Sequence, residues 1–233
     1  MLGLETPPPA PFRINGRGQP AGDHLRLVLD VDVGEARLDL EGRSAGLLDL
    51  SRVEYRLSAN GQNLGAFTRL LRLGEWPEEP FEASGLVTRD GRLLQLEDIT
   101  VVIGEATFSL DGELNNFPDL NNARLEFDLH GDDAVKFREL VGIRGVAEGA
   151  FEASGSIRAN PDGRDEVTLN MQTAVGRVEG SGTLGPGPGY AGTEAEVRIE
   201  GHNAKQLFDG YGISGFAPDP FTLESTFTIE NQG

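Results

Sequence analysis

Apolar and polar residues alternate one by one along several stretches of this chain. In the clearest stretch, Leu125, Phe127 and Leu129 alternate with charged residues, so every second side chain is apolar. A strict period of two is typical of a β-strand that buries one face and leaves the other in water. Similar alternation occurs in residues 25–33, 53–57, 99–103 and 195–199. The pattern predicts a mainly β fold whose sheet has an apolar and a charged face.

Residues 81–150 contain the clearest series of strands. Strands are predicted over residues 81–88, 94–103 and 106–112, then a polar loop at 115–122 and a fourth strand from about Leu125. Short turns rich in glycine and aspartate separate the strands, and they are too short to hold the crossover helices of a parallel sheet. We therefore expect an antiparallel β-meander whose strands follow one another in chain order.

A short helix is predicted after each fourth strand. Asn63, Asp133 and Asn203 stand where an N-cap belongs, because their side-chain oxygens can accept the free N–H groups of a first helical turn. Apolar residues at helical spacing follow each of them. The predicted unit is therefore four antiparallel strands and one short helix.

This unit recurs with a period of 70 residues. The string Phe-Glu-Ala-Ser-Gly occurs at residues 81–85 and again at 151–155, and Phe12 and Phe221 continue the spacing upstream and downstream. A fixed period indicates one supersecondary unit stacked on copies of itself. The chain is accordingly divided into a leader or linker at 1–11, repeat units at 12–80, 81–150 and 151–220, and the start of a truncated fourth unit at 221–233. We expect a piece of a longer array that forms an elongated, curled sheet.

Composition excludes several classes of partner and site. The net charge of −18, from 20 basic and 38 acidic residues, argues against a nucleic-acid partner, which needs basic stripes. The absence of cysteine excludes disulfides and thiolate sites. The sequence has no run of 18 apolar residues, so it predicts no membrane-spanning helix. Residues 1–11 do not have the features of a signal peptide.

Three patterns resemble functional motifs but do not have the context that each chemistry needs. Residues 187–192 match the dinucleotide pattern GxGxxG, but prolines interrupt the match and a strand follows it instead of a helix. Residues 30–34 faintly resemble a calcium loop without its closing ligands. His24, His130 and His202 are isolated from one another. We therefore predict no catalytic residue, no metal, no cofactor and no enzymatic activity.

The repeat resembles the AsmA-like superfamily of Gram-negative envelope proteins. The resemblance is carried by the strand at 81–85 with the following residues 94–98, by the glycine-closed strand at 104–112, and by the strand-to-helix passage at 125–140. It covers nearly the whole chain from about Phe12. It implies an open-sided β-groove that holds acyl chains of phospholipid or another lipid between the inner and outer membranes. It further implies a parent protein that is anchored in the inner membrane and faces the periplasm.

The apolar face of the sheet is the candidate functional surface. Its lining is predicted to consist of Leu27, Leu29, Val31, Leu38, Val53, Tyr55, Leu57, Ile99, Val101, Ile103, Phe108, Leu110, Leu125, Phe127, Leu129, Leu169, Met171, Val178, Val197, Ile199 and Phe227. The alternative is that this face packs on itself as a dry core, which would indicate a structural or interaction scaffold. A carbohydrate-active solenoid is a third, distant interpretation, because no ladder of aspartate or aromatic residues follows one face.

Overall fold

The described residues of the chain form one antiparallel sheet of 13 strands that follow one another in chain order. The computed structural model describes residues 11–46, 51–71, 76–117, 119–137, 149–160, 164–186, 190–210 and 212–230. The prediction of a mainly β, antiparallel meander is confirmed. The chain divides into two compact units, one up to residue 113 and one from residue 114.

In its described residues, the first unit contains six strands, one helix and most of a seventh strand. These elements are β1 (Phe12–Ala21), β2 (His24–Val33), β3 (Ala36–Ser44), β4 (Arg52–Gly61), α1 (Leu64–Leu71), β5 (Phe81–Asp90), β6 (Leu93–Ile103) and β7 (Ala106–Asn116). The second unit contains β8 (Asp119–Gly131), a 3₁₀ turn (Ala134–Phe137), β9 (Phe151–Arg158), β10 (Asp165–Thr173), β11 (Gly176–Leu184), β12 (Glu194–Gly201), α2 (Ala204–Gly210) and β13 (Phe221–Thr228). Turns of two residues join β1 to β2, β2 to β3, β5 to β6, β6 to β7 and β10 to β11, a length common in β-hairpins.

The predicted N-cap residues do accept hydrogen bonds from the turns that follow them. Asn63 Oδ1 accepts the Ala66 N–H at 2.7 Å, and Asn203 Oδ1 accepts the Gln206 N–H at 3.0 Å. Asp133 Oδ1 accepts the Val135 N–H at 3.0 Å, but the described residues after it form a 3₁₀ turn and not an α-helix. Residues 138–148, where the rest of this helix is predicted, lie outside the described residues.

The predicted polar loop at residues 115–122 is wrong in extent. Strand β7 continues to Asn116 and β8 begins at Asp119, so most of this segment is a β-hairpin. The Asn115 Nδ2 donates to the Asn122 carbonyl at 2.8 Å, which joins the two strands through a side chain. Asparagine also tolerates the left-handed backbone that Asn122 adopts, with φ of 62°. The asparagines that suggested a loop therefore stabilise the end of a hairpin.

A phenylalanine at the start of three strands lies opposite a glycine of the preceding strand. Phe81 is opposite Gly61, Phe151 is opposite Gly131, and Phe221 is opposite Gly201. A Cβ added to Gly61 would lie 2.6 Å from the Phe81 ring, and a Cβ on Gly201 would collide with the Phe221 ring. The ring covers backbone that glycine leaves bare, a pairing known to stabilise glycine-containing sheets. Each pair recurs 70 residues after the last.

Backbone hydrogen bonds tie each capped turn to the segment that leads into the next strand. The N–H after the cap donates to a carbonyl 15 residues further along the chain. The pairs are Leu64 to Glu79 at 2.9 Å, Ala134 to Gly149 at 3.0 Å, and Ala204 to Asp219 at 2.9 Å. The acceptor lies two residues before the phenylalanine each time, so these bonds help to place the ring over its glycine.

Replacing a buried member of the phenylalanine series should destabilise the second unit strongly. Phe151 is 3% exposed, so Phe151→Ala removes a buried ring and is expected to cost about 3–5 kcal/mol of unfolding free energy. Phe227→Ala makes the same chemical change in the same unit where the ring is 56% exposed, and should cost less than about 1 kcal/mol. Urea unfolding followed by circular dichroism measures both. Equal losses in the two variants would contradict the packing described here.

Candidate functional site

Apolar side chains of the first unit line up in rows across the strands. Residues directly opposite each other in an antiparallel pair point to the same face of the sheet. One row runs through Gly16, Leu29, Leu40, Leu57 and Gly85. The next runs through Ile14, Val31, Leu38, Ala59, Ala83 and Val101. The register therefore collects the alternating apolar residues of six strands on one side, called the apolar face from here on.

The second unit has its own apolar face, built in the same way. One row contains Phe127, Gly155, Leu169, Gly180 and Val197. A second contains Leu129, Ala153, Met171, Val178, Ile199 and Leu223. A third contains Leu125, Ile157, Val167, Gly182, Ala195 and Phe227. Each row crosses several strands without a charged side chain.

The predicted lining residues differ in how far they are covered. Leu27, Ile103, Leu129 and Met171 are buried. Leu169 is 37% exposed and Phe227 is 56% exposed. The other fifteen are half-buried: Leu29, Val31, Leu38, Val53, Tyr55, Leu57, Ile99, Val101, Phe108, Leu110, Leu125, Phe127, Val178, Val197 and Ile199. In the described residues of either unit, no second sheet packs over this face. Most of the lining is therefore partly open to solvent.

One end of the second unit's apolar face is covered by helix α2. Leu207 of this helix lines a cavity of about 50 Å³ together with Met171, Val178, Ile199 and Phe221. In the same segment, between β12 and β13, the rings of Phe208 and Phe216 stack with their centroids 3.9 Å apart. The helix thus buries the strand ends near the Phe–Gly pair, while rows further along the strands stay half-exposed.

Glycines on the apolar face allow neighbouring backbone to approach closely. A Cβ added to Gly42 would collide with the Glu54 carbonyl oxygen, and one added to Gly182 would collide with that of Glu194. Both positions are 70 residues from Gly112, whose φ is 137°. The colliding carbonyl lies where a side chain on the apolar face would start, so the neighbouring strand approaches these glycines more closely than a side chain would allow. Any larger residue would push the strands apart.

The opposite face of the sheet carries the charges. Arg43 lies opposite Glu54 and is hydrogen-bonded to it, and Arg198 contacts Glu200 and Glu224. Asp30 and Asp39 lie directly opposite each other, and Arg37 donates to both. The hydrogen bond from Arg37 lowers the pKa of Asp39 below its ordinary value. These pairs are exposed, so they solvate the face and contribute little to stability.

Two clefts on the charged face are larger than the cavity under α2. One has a volume of about 560 Å³ and is lined by charged residues that include Arg26, Glu41 and Arg56. The other, about 420 Å³ in the second unit, is lined by Asp128, His130, Glu152 and others. Both clefts are open, and Leu86 lies among the charged residues of the first. The second also includes Leu129 and Met171 of the predicted lining.

The motif-like segments have structural roles where the structure describes them. In residues 30–34, Asp30 contacts Arg37, and Val31 belongs to an apolar row. Residues 187–189 lie outside the described residues. His24 contacts Asp23 at 3.2 Å and thereby lowers the pKa of that carboxyl, whereas His130 and His202 are exposed. In the described part of the chain, no three His, Cys, Asp or Glu residues are placed to hold a metal ion.

Neither described α-helix has the length and apolar composition that crossing a bilayer requires.

The predicted lining omitted several members of the rows, among them Leu40, Ile157, Val167 and Leu223. Leu40 follows Leu38 at a spacing of two, and Ile157 follows Ala153 and Gly155 at the same spacing. The period-two pattern therefore contained the signal for both residues.

Comparisons of the chain with protein-family models, with curated proteins and with solved structures returned no match. The fold and the apolar face consequently rest on the sequence and the structure of this chain alone. Membership of the AsmA-like superfamily stays a prediction.

Two glycines of β11 should differ in their tolerance of a methyl group. A Cβ at Gly182 collides with backbone, so Gly182→Ala is expected to cost about 1–3 kcal/mol through overpacking. A Cβ at Gly180, on the same strand and face, would make an ordinary contact at 3.5 Å with Leu169. Gly180→Ala should therefore be neutral or stabilise by up to about 1 kcal/mol. Thermal unfolding of both variants tests this difference, and similar melting temperatures would argue against the close backbone approach at Gly182.

Proposed function

We propose that this chain is a lipid-binding segment of a bridge-like lipid-transport protein of the Gram-negative envelope. The observation that carries the proposal is the apolar face, whose rows cross six strands in each unit and stay mostly half-exposed in the described residues. A surface of this kind is unusual on a protein that does not use it, because large exposed apolar patches mark sites of association.

The chemistry of the face suits an acyl chain. Burial of each CH₂ group contributes about 0.8 kcal/mol, so a long hydrocarbon binds through area alone and needs no fixed polar group. Neighbouring strands are about 4.8 Å apart, so a row across six strands extends roughly 24 Å. The rows present leucine, isoleucine, valine and phenylalanine along this distance. The row that contains Phe127, Leu169 and Val197 has no charged side chain.

The two faces of the sheet have different functions in this proposal. Charged pairs on the far face, such as Arg43 with Glu54, keep the molecule in water while the apolar face holds hydrocarbon. A lipid headgroup would stay in solvent beyond the face.

The cellular setting follows from the resemblance and is part of the proposal. A parent protein anchored in the inner membrane would hold this segment in the periplasm and shield phospholipid acyl chains on their way between the membranes. The proposed activity is non-enzymatic and needs no cofactor. The competing function is a structural or interaction scaffold, which requires a second layer over the apolar face. The half-exposed rows favour the lipid surface over that scaffold.

Crosslinking should distinguish the two faces of a single strand. Leu169 lies on the apolar face at 37% exposure, and its neighbour Thr168 points to the charged face. A photoreactive phenylalanine analogue at position 169 should crosslink to phospholipid in vesicles of phosphatidylethanolamine and phosphatidylglycerol at least ten times more than one at 168. Equal yields at both positions, or no crosslink from a folded protein at 169, would contradict the proposal.

A polar substitution on the same face supplies the matching stability test. Leu169→Asn leaves its amide near water, so it should cost less than about 1 kcal/mol while it weakens lipid binding. Leu129→Asn, where the side chain is 6% exposed near the helix-covered end, should cost about 3–5 kcal/mol. If Leu169→Asn destabilised the protein as strongly as Leu129→Asn, the face would be a closed core and the scaffold function would stand.

A further inference from the structure

The cavity under helix α2 lies where the apolar face of the second unit meets that helix. It has a volume of about 50 Å³, and its wall includes Met171, Val178 and Ile199, which lie opposite one another in one apolar row. Met171 is 5% exposed, whereas Val178 and Ile199 are half-buried and still reach solvent. Leu207 and Phe221 complete the larger apolar part of the wall. The cavity therefore shares a row of side chains with the surface that is proposed to hold lipid.

Two wall residues, Leu207 and Val178, are smaller than the residues 70 and 140 positions before them. Those larger counterparts are Phe67 and Phe137 for the first, and Leu38 and Phe108 for the second. Met171 is larger than the valines at its position, but its unbranched thioether side chain adapts to the shape of a neighbour. The third repeat thus combines reduced side chains with an adaptable one at this place in the fold.

The polar residues in the wall are already bonded to groups of the chain. These residues are Thr173, Arg177, Glu200 and Asn203. Their partners are, in the same order, the Gly176 carbonyl, Glu179, Arg198 and the Gln206 N–H. A polar ligand would have to break these bonds to gain its own, whereas a hydrocarbon needs only apolar surface. The wall therefore favours a hydrocarbon.

We propose that the cavity binds the terminal carbons of an acyl chain that lies on the apolar face. A water molecule occupies about 30 Å³ in the liquid and a methylene group is of similar size, so about two carbons fit. The acyl chain then ends under α2, and its carboxyl or headgroup end points away from the helix. This inference rests on the proposed lipid binding and adds the orientation of the lipid and the position of its end.

Methyl-labelled methionine supplies a probe inside the cavity, because the chain contains two methionines, Met171 and the control Met1. With palmitate bound to the intact chain, the Met171 methyl group should show a nuclear Overhauser contact to the acyl chain. Palmitate deuterated at its last two carbons should reduce that contact at least fivefold. An equally strong contact with the deuterated palmitate would place the middle of the chain beside Met171 and would overturn the proposal, as would a contact of equal strength at Met1.

Filling the cavity supplies the matching binding test. Leu207→Phe introduces the side chain that both earlier repeats have at this position. It should weaken palmitate binding about tenfold, the contribution of roughly two buried methylenes, and should remove the Met171 contact. Leu86→Phe makes the same change beside Arg56 on the charged face of the first unit, and should alter the affinity less than twofold. Displacement of a fluorescent fatty acid measures both affinities, after circular dichroism has shown that both variants are folded.

The outcomes separate this site from the lipid face itself. Unchanged affinity in a folded Leu207→Phe protein would overturn the chain-end site, while a crosslink to phospholipid from position 169 would still support the face. Absence of palmitate binding together with absence of that crosslink would overturn both. The deuterium comparison uses the unaltered chain, so it decides the question even if Leu207→Phe does not fold.

Discussion

Register between neighbouring strands is the constraint on which the rest of this structure depends. A slip of one residue would turn every apolar side chain of a strand toward the charged face. Each Phe–Gly pair, such as Phe81 with Gly61, joins the first residue of one strand to the last residue of the strand before it, and it fits only when ring and glycine are opposite each other. The hydrogen bond from Leu64 to Glu79 holds the segment that brings this phenylalanine into place. Local packing at one end of the strands therefore helps to set the apolar rows along their whole length.

The same arrangement explains why the two ends of the strands differ. Near the Phe–Gly pairs, Met171 is buried beside the cavity under helix α2, and Phe151 is buried opposite Gly131, so this region provides a conventional core. Further along the strands, Leu169 and Phe127 belong to a row that the described residues leave partly open. A unit can be stabilised by the core near the Phe–Gly pairs while the rows further along its strands stay accessible to a ligand. We propose that this division lets the chain remain folded whether or not a lipid lies on the face.

Alternation, turn residues and caps were sufficient to predict the strands, their order and the capped turns at Asn63 and Asn203. The hairpin at residues 115–122 was missed because asparagine is common both in loops and at strand ends. The structure separates the two cases by the side-chain bonds from Asn115 to Asn122 and from Asn116 to Asn121. Burial along an alternating strand was not predictable either. Leu125, Phe127 and Leu129 look equivalent in sequence, yet only Leu129 is buried, because coverage depends on neighbouring strands and on the region where the capped turns pack.

The central claim, that the apolar face is open and holds acyl chains, is tested most directly by locating a heavy-atom-labelled lipid on the protein. The measurement is a crystal structure of the chain with phospholipid whose acyl chains carry bromine, with anomalous differences recorded at the bromine edge. The account predicts bromine peaks over the row that contains Phe127, Leu169 and Val197, and over Leu29, Leu40 and Leu57 in the first unit. Bromine confined to the charged face, or protein packed over these rows with no bromine on them, would contradict it.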